Sequence, residues 1–233
     1  MDKNHLIFDF QSSTPCSPEV IEEMAPYWHE IWGNPSNLNN RSGIFASAAV
    51  EVSREKIASC LNINSKRLIF TSGATESNNL GLIGHARAKA RLTGKVGHLI
   101  TVTTEHHAVL DPLRQLNKEG FSLTELRPNR DGLINLDEFS DAIEKSTFLA
   151  SVMAANNEIG VLQPISEIGS LCKKKGIALH TDAAQAFGYL DLDPDRLCVD
   201  LMSLSAHKIY GPKGIGALVI SEGLPLEPSQ YGG

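Results

Sequence analysis

Short apolar runs alternate along most of this chain with longer stretches whose apolar residues recur every three or four positions. Residues 67–71, 98–103, 122–126, 148–154, 177–181, 201–204 and 216–220 have the length and residue types of strands. Between them, residues 46–61, 78–92, 109–119, 136–144 and 165–175 have the spacing of helices with one buried face. Strand and helix in turn predict an α/β fold of three αβα layers, with a mostly parallel sheet of about seven strands. A Gly/Pro turn alone separates Lys208 from the run at 216–220, too short for a helical crossover, so this strand is expected to run antiparallel. Residues 1–40 read differently. Pro15, Pro18, Pro26 and Pro35 punctuate an N-terminal arm with one short helix at 18–32, ahead of a large domain over 41–233. The final loop carries Pro225 and Pro228 and has no closing element, which suggests that the chain is truncated.

Composition narrows the classes. With 233 residues and 42% hydrophobic content the chain can bury a full core. A formal charge of −6 argues against nucleic acid or an anionic membrane as the main partner. No apolar run approaches a membrane span, and Asp2 and Asp9 sit where a signal peptide would be apolar. Cys16, Cys60, Cys172 and Cys198 are scattered, with no Cys-x-x-Cys pair. That suits reduced thiols in a cytoplasm, and argues against a disulfide framework or a zinc site.

Candidate chemistry lies just beyond the predicted strands, where open parallel sheets bind ligands. Ser205 to Gly214, reading SAHKIYGPKG, puts Lys208 after a buried strand, where an amine can form a Schiff base with an aldehyde cofactor. A surface lysine in a Gly/Pro turn fits the same residues. FTSGATESN, from Phe70, runs a strand into small residues and a helix start, a ready phosphate site with Thr75; Thr75 as a plain N-cap fits equally. Thr104 to Ala108 holds adjacent histidines, suited to stacking on a flat ring or simply to a surface. Asn156 and Asn157 leave another strand, placed either to bond a ring hydroxyl or to make a turn. Asp182 ends the run at 177–181, where burial is costly without a cation such as a pyridinium, although it can also cap a helix. Gln185 follows one helical turn later.

The set FTSGATESNN, TEHHAVLD, NNEIGV, HTDAAQ and SAHKIYGPKG resembles the cysteine desulfurases of the class V aminotransferase family, which depend on pyridoxal 5′-phosphate (PLP). The resemblance runs from about Asp9 to Gly233, with the motifs in family order, and implies the large domain of a PLP-dependent transferase of fold type I. It implies that Lys208 holds PLP covalently, Asp182 pairs with the pyridine nitrogen, and His106 stacks on the ring and shuttles protons. Asn156 and Gln185 would lie near the ring hydroxyl, and Ala74, Thr75, Ser205 and His207 would bind the phosphate. The implied reaction turns L-cysteine into L-alanine and an enzyme persulfide. Implied partners are a second copy in a homodimer and a sulfur-acceptor or scaffold protein, as in iron–sulfur cluster assembly.

The match has departures. Ser12-Ser13-Thr14-Pro15 stands where the family reads Ala-Thr-Thr-Pro, and Asn39 stands where it has a histidine. Family members continue past Gly233 into a small domain with the nucleophilic cysteine, the arginine that grips the substrate carboxylate, and a phosphate contact offered to the neighbouring subunit. None of the four cysteines here matches that nucleophile. The chain is therefore expected to hold PLP weakly, to expose apolar surface and to make no alanine by itself. Alternatives are another class V PLP enzyme, such as a selenocysteine lyase or aminotransferase, or a non-catalytic truncated remnant.

Overall fold

The computed structural model describes Leu6 and residues 8–232; the opening residues of the expected arm, Ile7, and Gly233 at the end of the expected loop lie outside the described residues. Seven strands form one sheet in the order β1-β7-β6-β5-β4-β2-β3. They are β1 (Leu68–Thr71), β2 (His98–Val102), β3 (Ser122–Leu126), β4 (Thr147–Ser151), β5 (Ala178–Asp182), β6 (Leu201–Ser205) and β7 (Gly216–Ile220). Each overlaps an expected run, although β4 starts one residue earlier and stops three residues short of the expected 148–154. Strand β7 lies antiparallel between β1 and β6, and the other pairings are parallel. The short turn before β7 leaves the chain no way to cross the sheet and return in the same direction.

Alternating residues of the strands feed two separate cores. Leu99, Leu149, Leu201 and Leu218 pack with Val109, Leu113 and Leu116 on one face. Ile100, Ala150, Met202 and Val219 pack with Phe139, Ile165 and Ile168 on the other. This period of two, with helices on both sides, makes the three layers. The first face is covered by α4 (Ala74–Asn79), a π turn (Leu80–Gly84), α5 (His85–Thr93) and α6 (His107–Lys118). The second face carries α7 (Leu136–Asp141) and α8 (Ile165–Lys175), with a short α9 (Pro194–Leu197) against α8.

Ahead of the sheet come α1 (Pro18–Met24), α2 (Pro26–His29) and α3 (Arg41–Cys60). The single helix expected at 18–32 is interrupted at Pro26, which lacks an N–H and crowds the preceding turn. Helix α3 starts earlier than its apolar spacing suggests, because Asn40 caps it by accepting from Gly43 N–H at 2.7 Å. Helix α9 was not expected; Asp193 caps it through Asp195 and Arg196 N–H groups. Among the described residues no helix is long and apolar enough to cross a membrane.

Candidate active site

Strands β1, β4, β5 and β6 end around one cavity of about 720 Å³. Eight of the residues singled out from the sequence line it: Ala74, Thr75, His106, Asp182, Gln185, Ser205, His207 and Lys208. Asn156 does not.

The helix start at Ala74 is capped by Gly73, whose φ of 152° suits glycine and which brings no side chain, so Thr75 is not the cap. Thr75 instead stands on the cavity wall. A Cβ on Gly216, at the start of β7, would come within 2.6 Å of Gly73 Cα and 2.5 Å of Leu204 O, so the loop and β7 touch backbone to backbone. Glu76 Oε2 accepts from Ser72 N–H at 2.6 Å, and these bonds hold its carboxyl below the usual glutamate range.

Asp182 closes β5 with both oxygens engaged. Oδ1 accepts from Ala184 N–H at 3.0 Å and Oδ2 from Asn78 Nδ2 at 2.7 Å. Burial pushes its carboxyl up; the two hydrogen bonds and the charges of His106 and Lys208 pull it back. Across the cavity, burial pushes the Lys208 amine down, opposed first by Asp182 and then by Asp9 and Glu158. Its Nζ donates to Gln11 O at 2.5 Å and Ser12 O at 3.0 Å, while Gln185 Nε2 also donates to Gln11 O, at 2.8 Å. The arm thus meets the lysine directly. Thr14 extends the seam, its N–H donating to His207 O at 2.8 Å and its Oγ1 accepting from Tyr210 N–H at 2.8 Å. Ser205 Oγ is enclosed on the wall without a hydrogen-bond partner among the described residues. Burial and the neighbouring Lys208 and Lys213 hold the His207 imidazole low.

His106 lines the cavity at the cap of α6, its Nδ1 accepting from Ala108 N–H at 3.0 Å. Asn156 is buried behind the wall. Its Nδ2 donates to Thr104 O at 2.9 Å and its Oδ1 accepts from Glu158 and Ile159 N–H groups. It organises the turn and leaves Ala155, Asn157 and Glu158 on the surface of the cavity. That is the turn role of an Asn side chain, and it places Asn156 directly behind the cavity wall.

An amine, a buried carboxyl, an imidazole and a helix start, with an unpartnered hydroxyl, around one cavity are the groups a phosphate-bearing pyridinium aldehyde needs. The model of the class-V aminotransferases matches residues 6–233. The chain belongs to the class-V aminotransferase family. This family member is 49% identical to the cysteine desulfurase IscS of Dechloromonas aromatica, over 98% of this chain and 56% of the relative. It is also 49% identical to a probable mitochondrial cysteine desulfurase of Schizosaccharomyces pombe, over 98% of this chain and 45% of the relative. Among solved structures, "SspA in complex with cysteine" superposes with a TM-score of 0.93 at 41% identity, over 98% of this chain and 65% of that one. A NifS-like protein does so with a TM-score of 0.92 at 36% identity, over 97% and 61%. The chain thus spans about half the length of the curated relatives it matches.

In this class-V aminotransferase the four cysteines are unpaired, and none lines the cavity. Cys172 is buried, and burial pushes its thiol up to about 12. Sequence reasoning missed Gln11, Ser12 and Asn78. The arm carbonyls carry no side-chain signal, whereas Asn78 stands inside the motif FTSGATESNN and was legible as its one amide on the sheet-facing side.

Proposed function

We propose that this chain is the cofactor-binding part of a PLP-dependent cysteine desulfurase, with residues 1–40 as an arm and 41–233 as the large domain. The observation that carries the reading is the pairing, across one cavity, of a partly buried amine at Lys208 with a buried carboxyl at Asp182, each acting on the charge of the other. Bound PLP would supply an electron-withdrawing ring that stabilises negative charge at the substrate Cα. Asp182, held by two donors, would keep that ring nitrogen protonated. Lys208 would anchor the cofactor through Nζ and, once released by the incoming amino group, would accept the Cα proton there. Burial lowers the basicity of its amine, the direction that both tasks call for.

His106, at the cap of α6, would cover the ring and hold a proton near the substrate. The Gly73–Thr75 turn, Ser205 and His207 would bind the phosphate, with the unpartnered Ser205 hydroxyl gaining a partner. Gln185 would contact the ring once its amide leaves Gln11. L-Cysteine is the proposed substrate and L-alanine the product. No cysteine lines the cavity, so the thiol that takes the sulfur must reach it from outside those walls. A homodimer and a sulfur-accepting or scaffold partner belong to the same proposal. So does a reducing compartment, cytoplasmic by this reading, where four unpaired thiols persist.

The test is a visible absorption spectrum of the purified chain with PLP, before and after borohydride, with mass mapping of the reduced peptide. Reduction is expected to fix the cofactor on Lys208 and on no other lysine, and Lys208→Ala to abolish the visible band. A folded sample without such a band would overturn the PLP reading. Modification elsewhere would overturn the role of Lys208.

A further inference from the structure

Asn78 is fully buried on α4 and borders the cavity. Its Nδ2 donates to Asp182 Oδ2 at 2.7 Å, yet its Oδ1 is enclosed without a partner among the described residues. A buried amide with an unmet acceptor costs stability, so the bond it does make has to outweigh that loss. The π turn just beyond the helix also passes close to β5. A Cβ on Gly81, at the start of the π turn, would lie 3.6 Å from His180 Cδ2. Asn78 thus meets Asp182, and Gly81 lies near His180, alternate positions on one face of β5. The other end of α4 is the Gly73–Thr75 turn on the cavity wall. One six-residue helix therefore runs from the cavity-wall turn to the Asp182 carboxyl, and a π turn follows it from Leu80.

Asp182 is faced by Asn78 from α4, by Ala184 N–H from its own chain, by His106 from α6 and by Lys208 from the turn after β6. The buried Glu105 carboxyl faces it from the turn after β2. Asn78 and Ala184 between them take one lone pair on each oxygen, which fixes the carboxylate's rotation.

We propose that Asn78 is a positioning residue that ties the Asp182 carboxylate to the helix carrying Gly73–Thr75, and so sets the spacing between the ring-nitrogen end and the phosphate end of the cofactor site. This rests on the PLP reading above. The test compares binding of PLP with binding of its 1-deaza analogue, in which a C–H replaces the ring nitrogen, by absorbance or fluorescence titration. Asn78 acts on the ring nitrogen only through Asp182. Asn78→Ala is therefore expected to weaken PLP by about tenfold, the worth of one hydrogen bond to a charged group. The deaza analogue should lose much less.

Equal losses for both ligands, or no loss for either, would overturn the inference, because a purely packing role does not distinguish them. If the alanine variant does not fold, Asn78→Ser, whose hydroxyl is too short to reach Asp182, takes the same test with the same two outcomes. Wild-type protein that binds no PLP would instead overturn the function reading beneath it.

Discussion

His180 and Asp182 stand two residues apart on β5, both buried, and burial drives them in opposite directions. The imidazole is pushed down to about 3, so it stays neutral, one ring nitrogen against Ser151 Oγ at 2.8 Å and the other against Ser203 Oγ at 3.1 Å. The carboxyl is pushed up, but donors and cations restrain it. For His180 the folded value lies below the ordinary 6.5, so its stabilising effect is complete above pH 6.5 and is lost as pH falls from there toward about 3. Each pH unit in that window should weaken the folding equilibrium by about tenfold through this one residue. His180→Gln keeps a neutral polar side chain and removes the titration. Urea unfolding at several pH values should therefore show the stability gap between wild type and variant narrowing as pH drops below 6.5. A gap independent of pH would mean that His180 accepts a proton in the folded state. These neighbours differ in legibility. Asp182 announced itself by its place after an apolar run, whereas the role of His180 depends on hydroxyls from β4 and β6, which no local pattern connects.

At the scale of elements, the Gly73–Thr75 side of the cavity rests on a contact between two backbones. Strand β7 begins at Gly216, packed against Gly73 and Leu204 with no room for a Cβ. Gly216→Ala must push β7 away from the Gly73–Thr75 turn, a cost of about 1–3 kcal/mol for overpacking. Thermal unfolding should show a Tm a few degrees lower, and titration should show PLP affinity reduced at least severalfold. Unchanged PLP affinity alongside a lowered Tm would separate the strand's packing from the site. The seven strands and the antiparallel β7 were legible because alternation and short turns are local signals. The break at Pro26 was legible too and was overlooked. The early start of α3 and the whole of α9 rest on the caps Asn40 and Asp193, where one side chain outweighs an unremarkable apolar pattern. Asn156 sits behind the cavity wall because its neighbours' backbone N–H groups hold its oxygen, an arrangement the motif alone does not display.

For the molecule as a whole, the uncovered apolar surface is the outstanding property. Helix α3 is 20 residues long, yet only Gly43, Ala46 and Ala58 are buried along it. Ile44, Phe45 and Val52 face outward, as do Trp28 and Trp32 from the arm, at 77% and 73% exposure. Such a face marks an interaction surface. Light scattering behind size exclusion should therefore show concentration-dependent association of the purified chain, strengthened by added sulfate. A monodisperse monomer across the concentration series would mean that this face does not associate. The sheet order carries a further consequence, in time rather than in space. Strand β1 lies at one edge, and its single partner is β7, the last strand of the seven. The arm likewise waits for its anchor, since Gln11 meets Lys208 across 197 positions of sequence. During synthesis, then, the first strand made stays unpaired until the last has emerged, and neither the lysine's seat nor the phosphate turn exists before that moment. On the PLP reading, cofactor capture would thereby be reserved for a chain whose last strand has already paired.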